Sequence, residues 1–252
     1  MAYSNSNPVM SQNFWSNIQG YETMSYTGAM QKIGILGGIC VASSIASAVV
    51  AADAIEAGNG GIVFGLMALG FLGGLVSLLV LLFTRPKNPV PLMSAYAVLE
   101  GMLVGSVSLM YSSAYDGIVL QAGLGTLAIF VVMYGLYAAR ILKATPMFTR
   151  IVISLTGGIF ILYMMTILLN LFTGMTLPFL HSTGPLGIGI SVFILGVASL
   201  NLILDFGFIE RGVENKSPKV GEWWAALGLL VTLIWIYFEV LRLLSKIRSN
   251  MD

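Results

Sequence analysis

Seven long apolar stretches, separated by short polar or glycine- and proline-containing breaks, occupy most of the chain. They run from Gln31 to Ala52, Ile62 to Phe83, Met93 to Tyr111, Ile118 to Ala138, Ile151 to Thr173, Gly184 to Phe206 and Trp223 to Leu244. A helix needs about 20 apolar residues to cross the ~30 Å of hydrocarbon in a bilayer, and each stretch is close to that length. Barrel strands alternate apolar and polar residues, which these runs do not. The composition agrees: 57% of the residues are hydrophobic and 9% charged, where a soluble domain has about a quarter charged. Mean hydropathy is +0.91. The chain is therefore expected to be an all-α membrane protein, a seven-transmembrane-helix bundle in one domain over residues 30–248. A polar, poorly ordered cytosolic leader (1–29) and a short tail (249–252) complete it.

The breaks carry ordinary stop and start signals. Residues 84–91 (TRPKNPVP) are a proline-broken turn, Thr145-Pro146 starts the fifth stretch, and Pro185 falls in the first turn of the sixth. The leader contains no Lys or Arg and lacks the basic start and apolar core of a signal peptide; its Phe14, Trp15, Tyr21 and Tyr26 suit a membrane interface. Arg85, Lys87, Arg140, Lys143, Arg150, Arg211, Lys216 and Lys219 cluster around the even loops. The odd loops have no cation, and the first two hold Asp53, Glu56 and Asp116. By the positive-inside rule the N-terminus is cytoplasmic, in an inner or plasma membrane. Arg242, Lys246 and Arg248 then fall outside, so the last stretch either spans against the rule or re-enters. Its length and unbroken apolarity favour spanning.

Helices in lipid associate through small residues and interhelical hydrogen bonds. The pairs Gly34/Gly38, Gly61/Gly65, Gly70/Gly74 and Gly101/Gly105 have the spacing for close packing. Small or polar stripes at helical spacing mark the inward faces. They are Gly37, Cys40, Ser44 and Ser47 on the first stretch, and Gln121, Gly125 and Ala128 on the fourth. The fifth carries Thr156, Tyr163, Thr166, Asn170 and Thr173, the sixth Gly187, Ser191, Ala198, Asn201 and Asp205, and the seventh Gly228, Thr232, Glu239, Arg242 and Lys246.

Catalytic chemistry has little material. One histidine (His181, in an outer loop) and one cysteine (Cys40, in an apolar stretch) leave no triad, disulfide or closed metal site. No phosphate-binding glycine loop or protease motif is present. The expectation is no enzyme and no cofactor, and a net charge of +1 implies no nucleic-acid partner. Ionisable groups within the spans stand out, because a charge at mid-bilayer costs at least ~2.5 kcal/mol. Glu100 lies near the middle of the third stretch, as a pore-facing carboxylate or a protonated packing residue. Asp205 lies near the inner end of the sixth, as a gating acid or one paired with Arg211. Glu239 and Arg242, three residues apart, can pair within one helix. Two carboxylates close together in low dielectric can share a proton and separate when both ionise.

The segments MSYTGAMQK (24–32), YAVLEGMLVGSVS (96–108), GIVLQAGLGT (117–126), HSTGPLGIGIS (181–191), LNLILDFGFIERGVE (200–214) and LVTLIWIYFEVLRLLSKIR (230–248) together resemble the bacterial Bax-inhibitor-like membrane proteins. The resemblance covers residues 24–248 in order. It implies a seventh helix surrounded by six others, and a calcium leak gated by a pH-sensitive pair of aspartates on the last two helices. The sixth-helix aspartate falls on Asp205, in LILDF where relatives read LILYD. The seventh-helix aspartate falls on Glu239, in IYFEVL where relatives read LYLD, or alternatively on Thr232. Glutamate keeps the charge on a longer arm.

The reading that follows is a pH-sensitive cation (calcium) leak channel. Asp205, Glu239 and Glu100 line the gate and ion pathway, Arg242 and Arg211 are counter-ions, and Asn201, Asn170 and Thr232 give a polar path. Calcium would bind only transiently, because it takes 6–8 oxygens. Two other readings use the same features. One is a non-transporting modulator that binds another membrane complex such as a membrane protease, and the other is a proton-coupled small-solute transporter. Membrane lipid is the surrounding partner in all three.

Overall fold

The computed structural model describes residues 22–174 and 182–250, which form seven helices: α1 (Tyr26–Glu56), α2 (Gly60–Thr84), α3 (Val90–Ala114), α4 (Ile118–Ala138), α5 (Pro146–Thr173), α6 (Pro185–Glu214) and α7 (Gly221–Ser249). Each is long and apolar enough to cross a membrane. Every expected stretch lies on one helix apart from Gly184, which caps α6, and the fourth matches its helix end to end. Most of the others are extended by polar residues, because a cap carries no apolar signal. The Ser25 hydroxyl accepts the Gly28 amide and starts α1 at Tyr26, ahead of the apolar run. Thr145 caps α5 in the same way, and proline in the first turn opens both α5 and α6.

Part of the expected leader is bound to the bundle. The Met24 amide donates to the Ser217 carbonyl at 2.8 Å and the Lys219 amide to the Glu22 carbonyl at 3.0 Å. Thr23 and Pro218 form an antiparallel bridge between them, and Glu22 pairs with Lys219. Residues 26–29 are already helix. Phe14, Trp15, Tyr21 and His181 lie outside the described residues.

These contacts place the start of α1 and the α6–α7 loop at one end of the bundle. At the other end, Arg248 donates to the Asp116 carbonyl at 2.7 Å and to Gln121 Oε1 at 2.9 Å, joining the end of α7 to the α3–α4 connection. Helix α7 therefore runs the full length of the bundle without a break and does not re-enter. Each cation at its basic end has protein acceptors. Arg242 pairs with Glu239, Lys246 reaches Gly187 and Ser191, and Arg248 reaches the α3–α4 turn.

The two ends also differ in their turns. At the α7 C-terminal end, Gly58, Gly117 and Gly174 take left-handed backbone at no steric cost; at the other end Arg85, Arg140 and Lys216 do so. A side chain in that conformation costs about 1–2 kcal/mol. Cations are thus kept at the turns of that end despite strain that glycine would relieve.

Helix α7 is central. It packs on α1, α3, α4 and α6 and reaches α5 through Tyr163, whereas α2 packs on α1 and α3. Ala226, Leu227 and Leu230 join a core with α1, α2 and α3, and Leu229, Ile236 and Leu241 join a second core with α4 and α6. Glycines set the closest approaches. A Cβ on Gly70 would lie 2.7 Å from backbone atoms of Leu99 and Leu103, and one on Gly105 would collide with the Ser44 carbonyl. Gly34, Gly38 and Gly65 meet no neighbour. The spacing shows that a helix could pack on that face, not that it does.

Candidate functional site

The α6–α7 contact holds the first candidate. Asp205 is half-buried on α6, opposite Gly228 and Thr232, and is hydrogen-bonded to the buried Thr232 hydroxyl. A Cβ on Gly228 would lie 3.5 Å from Asp205 Oδ1, an ordinary contact distance, so the carboxyl lies against α7 beside this glycine. Thr232 Oγ1 is also 3.2 Å from the Gly228 carbonyl. Asp205 Oδ2 is shielded from solvent and has no hydrogen-bond partner. A carboxyl in this position has two ways to bond. As a carboxylate it accepts the Thr232 proton. As an acid it donates to Thr232, which then donates to Gly228.

The expected Asp205–Glu239 pair is not formed. Thr232 is the α7 residue level with Asp205, and Glu239 lies seven residues on, roughly 10 Å along the axis. Nor does Arg211 pair with Asp205. It is exposed in the last turn of α6, and among the described residues Asp205 has no ion-pair partner.

Glu239 is 1% exposed and fully engaged. Its Oε1 accepts the Tyr163 hydroxyl at 2.7 Å and the Trp235 indole at 3.2 Å, and Arg242 Nη1 lies 3.2 Å from both carboxylate oxygens. The guanidinium also donates to the Tyr163 hydroxyl and stands 5.0 Å from the Tyr163 ring centroid. Four donor contacts hold this one carboxylate in place. The intrahelical pair read from the spacing is present, and Tyr163 of α5 encloses it.

Glu100 occupies a third place, the α2–α3 contact. A Cβ on Gly74 would lie 2.7 Å from its Oε1, and Tyr96 one turn earlier is its hydrogen-bond partner. Buried Cys40 belongs to the neighbouring core. Of the polar path, Asn201 donates to Thr156 Oγ1 and the Val197 carbonyl, both at 2.9 Å, and links α6 to α5. Asn170 is exposed near the end of α5. The acids thus occupy separate helix contacts, and only Asp205 and Thr232 among the candidates join α6 to α7 directly.

Sequence reasoning passed over Glu222. It lies in the first turn of α7, 0% exposed, and accepts the Ser25 amide at 3.0 Å and the Ser25 hydroxyl at 3.1 Å, with Oε2 unpartnered. Its neighbour is the α1 N-terminus, where the helix dipole favours an anion. A Cβ on Gly28 would strike this carboxylate. The available signal was an acid at a helix start facing a serine cap, but the two are 197 residues apart. Buried Lys246 was noted only as part of a stripe and as one of the cations after the last stretch. Among the described residues no group of three His, Cys, Asp or Glu side chains could hold a metal.

The sequence matches a family model described as Bax inhibitor 1 like over residues 7–249. No curated protein and no solved structure matches the chain.

Proposed function

Because the chain belongs to the Bax inhibitor 1 like family, we propose that it is a multi-pass protein of the inner or plasma membrane that passes a slow, pH-sensitive leak of calcium or a similar cation along the α6–α7 contact. The cations at the α2–α3, α4–α5 and α6–α7 turns favour a cytoplasmic N-terminus.

The observation that carries this reading is Asp205. An intramembrane carboxyl with one shielded, unpartnered oxygen and two alternative hydrogen bonds to Thr232 is built to change state with its proton. Loss of the proton leaves a charge with a single neutral donor. Relief then comes from water or a cation entering the contact, which is opening. Two or three oxygens make a passing site for calcium and not a cage. Glu239, tied to Arg242 and Tyr163, acts here as an anchor of α7 to α5, and Glu100 as a second carboxyl apart from the gate.

The test is calcium entry into liposomes loaded with a calcium-sensitive dye, with and without the purified protein. Entry above the protein-free rate, varying with pH, is the expected result. Entry at the protein-free rate at every pH contradicts conduction.

A further inference from the structure

The seam between α6 and α7 that holds Asp205 runs on to the N-terminal end of the bundle, where residues 22–25 lie across it. Asp205 lies beside Gly228. Seven residues on from Asp205 along α6 is Gly212, and seven residues back from Gly228 along α7 is Gly221. Seven residues are two helical turns and roughly 10 Å, so both glycines lie on the faces that carry Asp205 and Gly228, nearer that end. One side chain is seated on both. A Cβ on Gly212 would lie 2.5 Å from Met24 Sδ, and one on Gly221 would lie 3.3 Å from it. Met24 is 3% exposed and shares a core with Phe206 and Ile209 of α6 and Ala225 and Leu229 of α7. An unbranched thioether suits this place, because it fills an irregular gap and can be displaced.

The backbone around Met24 is bonded to the α6–α7 junction. The Met24 amide donates to the Ser217 carbonyl and the Lys219 amide to the Glu22 carbonyl, with Thr23 opposite Pro218. Ser25 gives both its amide and its hydroxyl to Glu222 Oε1, at 3.0 and 3.1 Å. Glu222 is 0% exposed and its Oε2 has no hydrogen-bond partner, so lifting Ser25 away strands a buried carboxylate unless water follows. These bonds hold the segment down. They are also few, and residues 22–25 precede the first residue of α1, so the segment can open locally while the helices stay folded. We propose that residues 22–25 are a strap over the α6–α7 seam with Met24 as its plug, and that water and ions reach Asp205 from this end only when the strap lifts. As a barrier to ions the strap rests on the conduction proposed above; as a barrier to water it does not.

Access is read first, without flux. Ala225→Cys in a Cys40→Ala background places one thiol in the core that Met24 shares, and its reaction with a water-soluble methanethiosulfonate is timed in detergent. The thiol should react slowly beside Met24 and roughly tenfold or more faster with Met24→Ala, because truncating a buried side chain favours local opening. Met24→Leu keeps the volume and should keep the slow rate. Equal rates in all three overturn the proposal. The second variant, Thr23→Cys/Pro218→Cys, locks the strap and leaves Met24 in place. Thr23 and Pro218 are an antiparallel pair flanked by the two backbone hydrogen bonds, a spacing that suits a disulfide. Calcium entry into dye-loaded liposomes should fall to the protein-free rate when this variant is oxidised and return on reduction. A locked strap that conducts as fast as the reduced form overturns the proposal and leaves the leak standing. Entry at the protein-free rate in every form, wild type included, removes the leak; slow, fast and slow labelling then still upholds the strap, and equal labelling overturns it.

Discussion

Asp205 on α6 is hydrogen-bonded to Thr232 on α7, while Glu239, two turns further along α7, is held by Tyr163, Trp235 and Arg242. The two acids therefore do different work. Thr232→Val leaves the Asp205 carboxyl without its one donor. An unmet buried polar group costs about 1–3 kcal/mol, whereas removing both partners together is nearly neutral. Thermal unfolding in detergent should show a clear loss for Thr232→Val and a smaller one for Asp205→Leu/Thr232→Val. Equal losses would mean that the hydrogen bond contributes nothing.

The Glu239 network should behave as a unit. Glu239→Gln leaves Arg242 without its carboxylate in a largely enclosed site; because the guanidinium is partly exposed, the expected cost is about 1–3 kcal/mol. Arg242→Met costs a similar amount by stranding Glu239. The double variant should lose less than the sum, and a double-mutant cycle on melting temperatures measures the coupling. Strict additivity would show that the pair is not formed.

Two glycines on α1 give a sharper contrast. Gly28→Ala drives a methyl into the Glu222 carboxylate that binds the Ser25 cap, while Gly34 meets nothing. Gly28→Ala should destabilise by about 1–3 kcal/mol through overpacking. Gly34→Ala should be neutral or stabilising by up to about 1 kcal/mol, since alanine is the better helix former. Reversal of that order would place the start of α1 elsewhere.

The clasp at the N-terminal end should loosen in acid. Lys219 hydrogen-bonds Glu22 and holds its carboxyl below the ordinary value of about 4.5. A lowered carboxylate pKa contributes stability that is present above the unfolded value and lost as pH falls through the folded one. Protection of the Met24 and Lys219 amides, both bonded across the clasp, taken relative to the intrinsic exchange rate at each pH, should therefore fall below about pH 4.5 in the wild type. Glu22→Gln should be less protected at neutral pH and lose less protection on acidification. Both residues are exposed, so the effect is small and salt-sensitive.

The helix count, the approximate spans and the Glu239–Arg242 pair were legible in the sequence because each rests on local information: apolar length and three-residue spacing. The placement of Asp205 was not. Its partner depends on the register of α6 against α7, and no periodicity reports that register or which helix a glycine meets. The same reason separates Gly70 and Gly105, which pack, from Gly34 and Gly38, which do not. Charge counting made the last stretch ambiguous because it ignores acceptors. Gly187, Ser191 and the Asp116 carbonyl satisfy Lys246 and Arg248, and only folding brings them together. Glu222 was missed because its partner Ser25 is at the opposite end of the chain.

The central claim is that the proton on Asp205 controls a cation leak. It is tested most directly by the pH profile of calcium entry into dye-loaded liposomes containing wild type or Asp205→Asn, with Glu100→Gln as a carboxyl control apart from the α6–α7 contact. The account predicts a pH-dependent rate in the wild type and the control, and a flat profile in Asp205→Asn. A wild-type pH response that survives in Asp205→Asn would contradict it.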